Sequence, residues 1–383
     1  MDTPDVTEEL LAIPVDFSGR IDIYSGVARK SGKTWARLVG PNRDDRKRPV
    51  FLIVHPTSNF LGHYALEPLA AAGATAVGMT TRYIGNDTSL LFENCVLDIA
   101  SAVRLLRQRG HQKIILVGNS GGGGLAALYQ SQAEKPTIRS TPAGDPPDLT
   151  AADLPPVDGL IMLMAHPGRA QVYTEWLDPA IADELDPRQR DPALDMFLTE
   201  NGPPYSEEFL TRYRSAQLDR SRRIRDRVRT GLRRLESEQA AGNDFAFVVH
   251  GTCADPRFLD LTIDPSDRGQ GTLWGDAQTA NLAPATLGRH TSARSWLSQW
   301  SLDDSEGSGL RHLPAVSVPV QVVYGTADTA AFPSHATSLY EAVPHGDKEI
   351  VPLSGANHYF TDQPQHVRRC VQHMTRWADG IKP

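Results

Sequence analysis

Short, continuous apolar runs recur along this chain, and helical stretches separate them. A run of four to eight apolar residues, rich in β-branched side chains, is typical of a strand that is buried on both faces of a sheet. Such strands alternating with helices predict an α/β fold, a mostly parallel central sheet flanked by helices. The predicted strands are, in order, PVFLIVHP, ATAVGM, KIILVGNS, VDGLIMLMAHPG, VPVQVVYG and KEIVPL.

Apolar residues at helical spacing predict the helices that follow these strands. Gly110 is a stop signal for the first long helix. Residues 18–41 hold two further strand-like pieces, RIDIYSGV and TWARLV, separated by the turn-like SGK. The predicted helices are SLLFENCVLDIASAVRLLRQRG, one that begins in GGGGLAALYQSQ, PSHATSLYEAV and PQHVRRCVQHMTRWADG.

The alternation of strands and helices breaks between Gly168 and His312. A segment of roughly 145 residues is much longer than an ordinary connection, so we expect a folded insertion. Its place between two core strands predicts a large, mainly helical cap over one end of the sheet. The chain then divides into a core, residues 1–167 and 313–383, and a cap or lid, residues 168–312.

The cap carries ten arginines between Arg212 and Arg234. The preferred interpretation is a solvated helix face that pairs with acidic loops such as DPAIADELD or with a second subunit. The alternative is a site for a carboxylate, a phosphate or a coenzyme A tail. The aromatic residues of the cap either line an apolar pocket or form the core of the cap itself.

Composition limits the classes of function. The three cysteines, Cys95, Cys253 and Cys370, have no paired spacing, which fits a reducing compartment and gives no metal-site pattern. A formal net charge of −7 argues against nucleic acid as the main partner. The N-terminus lacks the basic and apolar regions of a signal peptide, and no apolar run approaches the ~20 residues of a membrane span. We therefore expect a cytoplasmic protein with no membrane partner.

The stretch VGNSGGGGLAAL places a serine and four glycines between a predicted strand and a predicted helix. A P-loop requires Lys and Ser or Thr after its last glycine, and neither follows here. Gly121, Gly123 and Ala126 fit the GxGxxA dinucleotide pattern, but that loop normally follows the first strand of a sheet, and this strand comes later. Glycines that only allow close packing of the helix on the strand are a further alternative.

The same stretch contains G-x-S-x-G, with Ser120 at the strand-to-helix turn. A nucleophilic serine on such a turn needs small residues around it, and the helix N-terminus favours developing negative charge. This arrangement predicts an acid after a later strand and a histidine after the last one. Asp328 in VVYGTADTAAFP and His358 in VPLSGANHYF stand at these places, at C-terminal strand ends where open α/β sheets carry their sites.

This ordered set of motifs resembles that of the α/β-hydrolases, over about residues 45–167 and 313–380. The resemblance implies the α/β-hydrolase fold, with a cap inserted after the sixth core strand. It also implies that Ser120 attacks a carbonyl carbon, His358 moves its proton and Asp328 orients His358. The motifs that carry it are GNSGG, similar to the nucleophile elbow, YGTADTAAFP, similar to the acid loop, and GANHYF, similar to the histidine loop.

Two details of the site have alternatives. Asp303 and Asp304, at the end of the cap, are the alternative acids. An oxyanion hole needs backbone N–H donors, of which Gly121 is expected to supply one. Many α/β-hydrolases have His-Gly in the loop that supplies the other, but this chain has His-Pro, and proline has no N–H. Thr57 is the predicted second donor, with Ser58 as its alternative.

We therefore expect a serine hydrolase that cleaves a carboxylic ester through a Ser-His-Asp triad and an acyl-enzyme, with no cofactor and no metal. Its partner is a small-molecule ester or ketone, and a homodimer is left open. The same three residues also serve C–C bond hydrolysis of a diketone, thioester hydrolysis and acyl transfer. A non-catalytic ligand-binding member of the fold and a dinucleotide-dependent reductase are the alternatives from other classes.

Overall fold

An eight-stranded sheet lies at the centre of the structure, a computed structural model in which residues 6–19, 32–42, 46–239 and 242–381 are described. The described strands are β1 (Val6–Pro14), β2 (Lys33–Pro41), β3 (Val50–Val54), β4 (Thr75–Met79), β5 (Ile114–Asn119), β6 (Gly159–Leu163), β7 (Ala246–Val248), β8 (His290–Ser292), β9 (Val320–Gly325) and β10 (Lys348–Leu353). The order across the large sheet is β1-β2-β4-β3-β5-β6-β9-β10. β2 runs antiparallel to β1 and to β4, and the remaining pairs are parallel.

The parallel strands are those that the apolar runs predict. β3, β4, β5 and β6 are buried along their whole length, as expected of strands covered on both faces. Successive side chains point to opposite faces, so alternate residues of one strand enter different apolar clusters. The prediction of a mostly parallel α/β sheet is therefore confirmed.

Helices cover both faces of this sheet. The helices of the described ranges are α1 (Leu66–Ala71), α2 (Phe92–Gln108), α3 (Gly122–Glu134), α4 (Arg169–Trp176), α5 (Glu207–Ser237), α6 (Ala277–Leu282), α7 (Ala293–Gln299), α8 (Gly309–His312), α9 (Pro333–Ala342) and α10 (Pro364–Gly380). α2, α3 and α9 pack on one face, and α1 and α10 pack on the other. Within the described ranges, none of the helices has both the length and the apolarity needed to cross a membrane.

The N-terminal edge of the sheet differs in part from the expectation. The predicted piece TWARLV lies in β2, whereas RIDIYSGV falls outside the described residues. β1 is not among the predicted strands. Its burial alternates only near its end, at Leu11 and Ile13, and the preceding residues are largely exposed and include two glutamates. An edge strand of this kind lacks the continuous apolar run that identifies the central strands.

Between β6 and β9 the chain leaves the large sheet, at the place predicted for the cap. This insertion contains α4 to α8 and the antiparallel pair β7 and β8. The arginines lie mainly on α5, a helix of 31 residues, and several of them form ion pairs with acidic loops of the insertion. Arg220, for example, binds Glu184 of DPAIADELD at 2.7 Å. The division of the chain into core and cap remains a prediction.

Buried aromatic side chains join the helices of the insertion. Trp296 and Trp300, together with Tyr173, form a cluster with Ile224 and Val228 of α5. Both tryptophans are fully buried. Their burial favours the interpretation that these aromatic residues form the core of the insertion itself.

Candidate active site

Ser120 lies in the sharp turn between β5 and α3. Its φ is 55°, in the left-handed region that residues with a Cβ atom rarely adopt. Its amide donates to the carbonyl of Leu163 at 3.0 Å, and its carbonyl accepts from the amide of Gly123 at 3.1 Å. Strain of this kind persists only where the surrounding structure imposes it, and it is concentrated at functional sites.

The glycines around this turn allow unusually close packing. A Cβ on Gly118 would lie less than 3.0 Å from the carbonyl oxygen of Gly122. A Cβ on Gly122 would likewise lie less than 3.0 Å from the carbonyl oxygen of Val54. A Cβ on Gly124 would collide in the same way with the carbonyl oxygen of Gly307 in the insertion. The packing interpretation of the glycines and the sharp-turn interpretation are therefore compatible, because close packing holds the turn in place.

A chain of hydrogen bonds joins Ser120, His358 and Asp328. His358 Nε2 is 3.0 Å from Ser120 Oγ, and His358 Nδ1 is 2.7 Å from Asp328 Oδ2. Asp328 Oδ1 accepts from the amides of Ala330 at 2.7 Å and Ala331 at 2.9 Å. Asp328 and His358 are buried, whereas Ser120 is partly exposed. Because a carboxylate only accepts, Nδ1 carries the hydrogen and Nε2 is free to accept from the serine hydroxyl.

Direct bonds between the acid loop and the histidine loop hold these groups together. The amide of Thr326 donates to the carbonyl of Leu353 at 3.1 Å, and the amide of Ala327 donates to that of Ala356 at 3.0 Å. β9 and β10 are parallel neighbours, so their C-terminal ends meet at one edge of the sheet. The sheet topology thus brings together the acid and the histidine that the motifs predict.

Asp303 and Asp304, the alternative acids, contact arginines of α5. Asp303 forms an ion pair with Arg225, and Asp304 forms one with Arg229. These pairs account for both carboxylates within the insertion. The geometry therefore favours Asp328 as the acid that faces the histidine.

Asp267, in the insertion, contacts both loops and is not among the predicted site residues. Its carboxylate accepts from the amide of Gly355 at 3.1 Å, the hydroxyl of Ser354 at 3.3 Å and the hydroxyl of Thr326. The hydrogen bond from Thr326 is the main cause that lowers the pKa of Asp267. Its bonds link segments 59 to 88 residues apart, so no local motif could have identified it.

The two predicted oxyanion donors differ in their surroundings. Gly121 precedes the first turn of α3, and its amide has no acceptor among the described residues. The amide of Thr57 donates to His55 Nδ1 at 3.1 Å, and the amide of Ser58 donates to the same atom at 2.9 Å. Because the Thr57 amide already has an acceptor, its role as the second donor remains a prediction that requires this bond to break.

Two further histidines near the site are neutral. Burial lowers the pKa of His166, which follows β6, to about 3. Burial, and then the nearby Arg169 cation, lower the pKa of His55 well below its ordinary value. In the part of the chain that the structure describes, no group of three or more His, Cys, Asp or Glu side chains is arranged to hold a metal ion.

Comparisons with known proteins address the fold. No protein-family model matches the chain, and a search of curated proteins finds no match. Among solved structures, the α/β hydrolase GrgF from Penicillium sp. sh18 is 11% identical with a TM-score of 0.51, over 98% of this chain and 99% of that one. DcsB, solved in complex with its substrate analogue, is 14% identical with a TM-score of 0.52, over 98% of this chain and 100% of that one. A hypothetical protein from Pseudomonas aeruginosa is 12% identical with a TM-score of 0.50, over 99% of this chain and 94% of that one.

The chain has the α/β-hydrolase fold, as the resemblance of its motifs predicts. Its mostly parallel central sheet, flanked by helices, agrees with that expectation. At identities of 11% to 14% the likeness extends to the fold alone. The reaction has to be inferred from the side chains of the site, because one fold serves many chemistries.

Proposed function

We propose that the protein is a serine hydrolase that cleaves a small carboxylic ester through an acyl-enzyme intermediate. The observation that carries this proposal is the hydrogen-bonded chain in which Ser120 Oγ lies 3.0 Å from His358 Nε2. A nucleophile, a base within hydrogen-bond reach and a third group that orients the base are what acyl transfer to a serine requires. The strained turn and the partial exposure of the serine support the same role.

In the first half of the proposed reaction, Ser120 attacks the ester carbonyl carbon and its proton passes to Nε2 of His358. Asp328 holds the hydrogen of His358 on Nδ1 and stabilises the cation that forms. The carbonyl oxygen becomes an oxyanion, which the amide of Gly121 and the N-terminus of α3 stabilise. The His358 proton then passes to the alcohol oxygen as the C–O bond breaks.

In the second half, water replaces the departed alcohol. His358 takes a proton from the water as its oxygen attacks the acyl carbon, and a second oxyanion forms at the same place. The proton returns to Ser120 Oγ when the acyl–serine bond breaks, and the carboxylic acid leaves. The cycle consumes one ester and one water and restores each group to its initial protonation state.

We also propose that the insertion, residues 168–312, covers this site as a cap. Three of its contacts support this. The stem of Arg169 lies 3.3 Å from the position that a Cβ on Gly121 would occupy. Gly307 packs against the first turn of α3, and Asp267 binds the loops that carry the acid and the histidine. A segment so close to the serine limits the size and shape of the esters that reach it.

Intact-mass labelling with a fluorophosphonate tests the central proposal. We expect one adduct on the wild-type protein and none on Ser120→Ala, with p-nitrophenyl ester hydrolysis lost in the same variant. Thermal unfolding of the two proteins is the control for a retained fold. Full ester turnover by pure Ser120→Ala, or wild-type protein that neither labels nor hydrolyses small esters, contradicts the proposal.

Product analysis then separates hydrolysis from transfer. An ester is incubated with the enzyme in the presence of an added amine or alcohol, and the products are identified by mass. A hydrolase gives the carboxylic acid, whereas an acyltransferase gives the amide or the new ester. A predominance of transfer product would retain the acyl-enzyme and refute hydrolysis as the reaction.

A further inference from the structure

Two backbone amides fix the imidazole of His55 beside the serine turn. The amides of Thr57 and Ser58 both donate to His55 Nδ1, at 3.1 Å and 2.9 Å. A ring nitrogen that accepts hydrogen bonds carries no hydrogen itself, so the neutral ring has its hydrogen on Nε2. The lowered pKa of His55 keeps the ring neutral near pH 7, which leaves this tautomer as the one present.

The Nε2 atom of His55 lies next to the residue that follows the serine. It is 3.0 Å from the position that a Cβ would occupy on Gly121. No acceptor for Nε2 is found among the residues that the structure describes. His55 therefore places an N–H donor close to Gly121, whose amide also has no acceptor among the described residues.

Arg169 and the amides of Thr57 and Ser58, three other donors in this region, are already engaged. The guanidinium of Arg169 donates to Gln299 and to Asp87, both at 2.6 Å, and stacks on Trp300 at 4.3 Å. Pro56 has no N–H, and the two amides after it are held by the ring of His55. The Gly121 amide and the Nε2–H of His55 are thus two donors beside the serine turn that have no acceptor among the described residues.

We infer that the side chain of His55 is the second oxyanion-hole donor, acting through Nε2–H together with the amide of Gly121. The inference rests on the proposed serine-hydrolase function and deepens it. As Ser120 attacks, the carbonyl oxygen gains negative charge and accepts from both N–H groups. His55 keeps its proton throughout, so the proton transfers remain those between Ser120, His358, the leaving group and water.

Two substitutions at His55 separate its two hydrogen-bonding roles. In His55→Asn, the oxygen Oδ1 stands where Nδ1 stood relative to Cγ, so it still accepts the amides of Thr57 and Ser58, but the donor at the Nε2 position is gone. In His55→Gln, the longer amide places an NH2 near the Nε2 position and loses the acceptor at Nδ1. One variant keeps the turn without the donor, and the other keeps the donor without the acceptor.

The assay is steady-state hydrolysis of p-nitrophenyl acetate, with fluorophosphonate labelling and thermal unfolding of each variant. Removal of one oxyanion donor typically lowers kcat by about 10²- to 10³-fold. We expect this loss in His55→Asn with KM nearly unchanged, because the donor acts on charge that develops in the transition state. We expect His55→Gln to retain kcat within about tenfold of the wild type.

Two results overturn the role of His55. One is a His55→Asn protein that hydrolyses the ester at the wild-type rate. The other is a folded His55→Gln protein that loses as much kcat as His55→Asn, since an N–H donor restored near the Nε2 position then has no effect on the reaction. In both cases the wild type still labels at Ser120, so the hydrolase proposal stands. A wild-type protein that neither labels nor turns over overturns both proposals together.

Discussion

The substitution Asp328→Asn tests how the acid orients the histidine. Asp328 Oδ1 accepts from the amides of Ala330 and Ala331, while Oδ2 faces His358 Nδ1 at 2.7 Å. In the Asp328→Asn variant, only the side-chain oxygen can accept from these two amides, because an NH2 group cannot accept a hydrogen bond. The oxygen of the asparagine therefore stays with the amides, and its NH2 group faces His358 Nδ1. His358 then accepts at Nδ1 and carries its hydrogen on Nε2, pointing toward Ser120.

A histidine in that tautomer cannot take the proton of the serine. Aspartate-to-asparagine substitution in such a triad lowers kcat by about 10⁴-fold. At 1.36 kcal/mol for each factor of ten, this corresponds to about 5 kcal/mol of lost transition-state stabilisation. Asparagine has the shape of aspartate and keeps both amide bonds, so we expect the fold and KM to change little.

The assay is ester hydrolysis by the wild type, Asp328→Asn and the control Asp303→Asn. Asp303 binds Arg225 in the insertion, so the control removes a carboxylate that does not face the histidine. We expect it to retain the wild-type kcat. Asp328→Asn with kcat within about tenfold of the wild type would refute the orienting role. An equal loss in both variants would show that the effect is not specific to the tautomer of His358.

Three predictions concern stability, each measured by urea unfolding. The Ser120→Gly variant should be more stable than the Ser120→Ala variant by about 1 kcal/mol, because a φ of 55° strains any residue that has a Cβ. Equal stability of the two variants would exclude this strain. Burial raises the pKa of Glu93 from 4.5 to about 7, so the folded state binds this proton more tightly than the unfolded state and stability falls as pH rises between these values. Glu93→Gln should remove this dependence of the unfolding free energy on pH and stabilise the protein by about 3 kcal/mol above pH 7. The same pH dependence in the variant would show that other groups cause it. Gly124→Ala should destabilise the folded protein by about 1–3 kcal/mol, because the new Cβ meets the carbonyl oxygen of Gly307. The control Gly62→Ala, at an exposed position where a Cβ meets nothing within 4 Å, should leave the stability unchanged. Equal effects of the two substitutions would contradict the close packing at Gly124.

The central strands could be predicted because their environment is uniform. β3 and β5 are buried on both faces, so every position selects an apolar side chain and the run is visible in a single sequence. β1 has one exposed edge and few buried positions, so its pattern is weak. The insertion is harder still, because its core forms between helices of irregular spacing, as the contacts of Tyr173 with Trp300 illustrate.

In the candidate site, too, some residues could be predicted from the sequence and others could not. Ser120, Asp328 and His358 could be located because each follows a strand whose C-terminal end must reach one edge of the sheet. The contacts of Asp267 depend on how the insertion folds back on that edge. The orientation of His55 depends on which nitrogen of its ring accepts from the amides of Thr57 and Ser58, and this cannot be predicted from the sequence.

The same local pattern of hydrogen bonds orients two side chains near the serine turn, those of Asp328 and His55. Asp328 Oδ1 and His55 Nδ1 each accept from the amides two and three residues further along the chain. In each case one atom is held by the chain's own turn, and the other atom of the group, Oδ2 or Nε2, is left to face the site. These hydrogen bonds are local to each turn, although Asp267 of the insertion also binds the acid loop and Arg169 lies beside Gly121. Because the bonds that orient Asp328 and His55 are local to their own turns, we expect changes in the insertion away from Asp267 and Arg169 to alter which ester enters more than how it is cleaved.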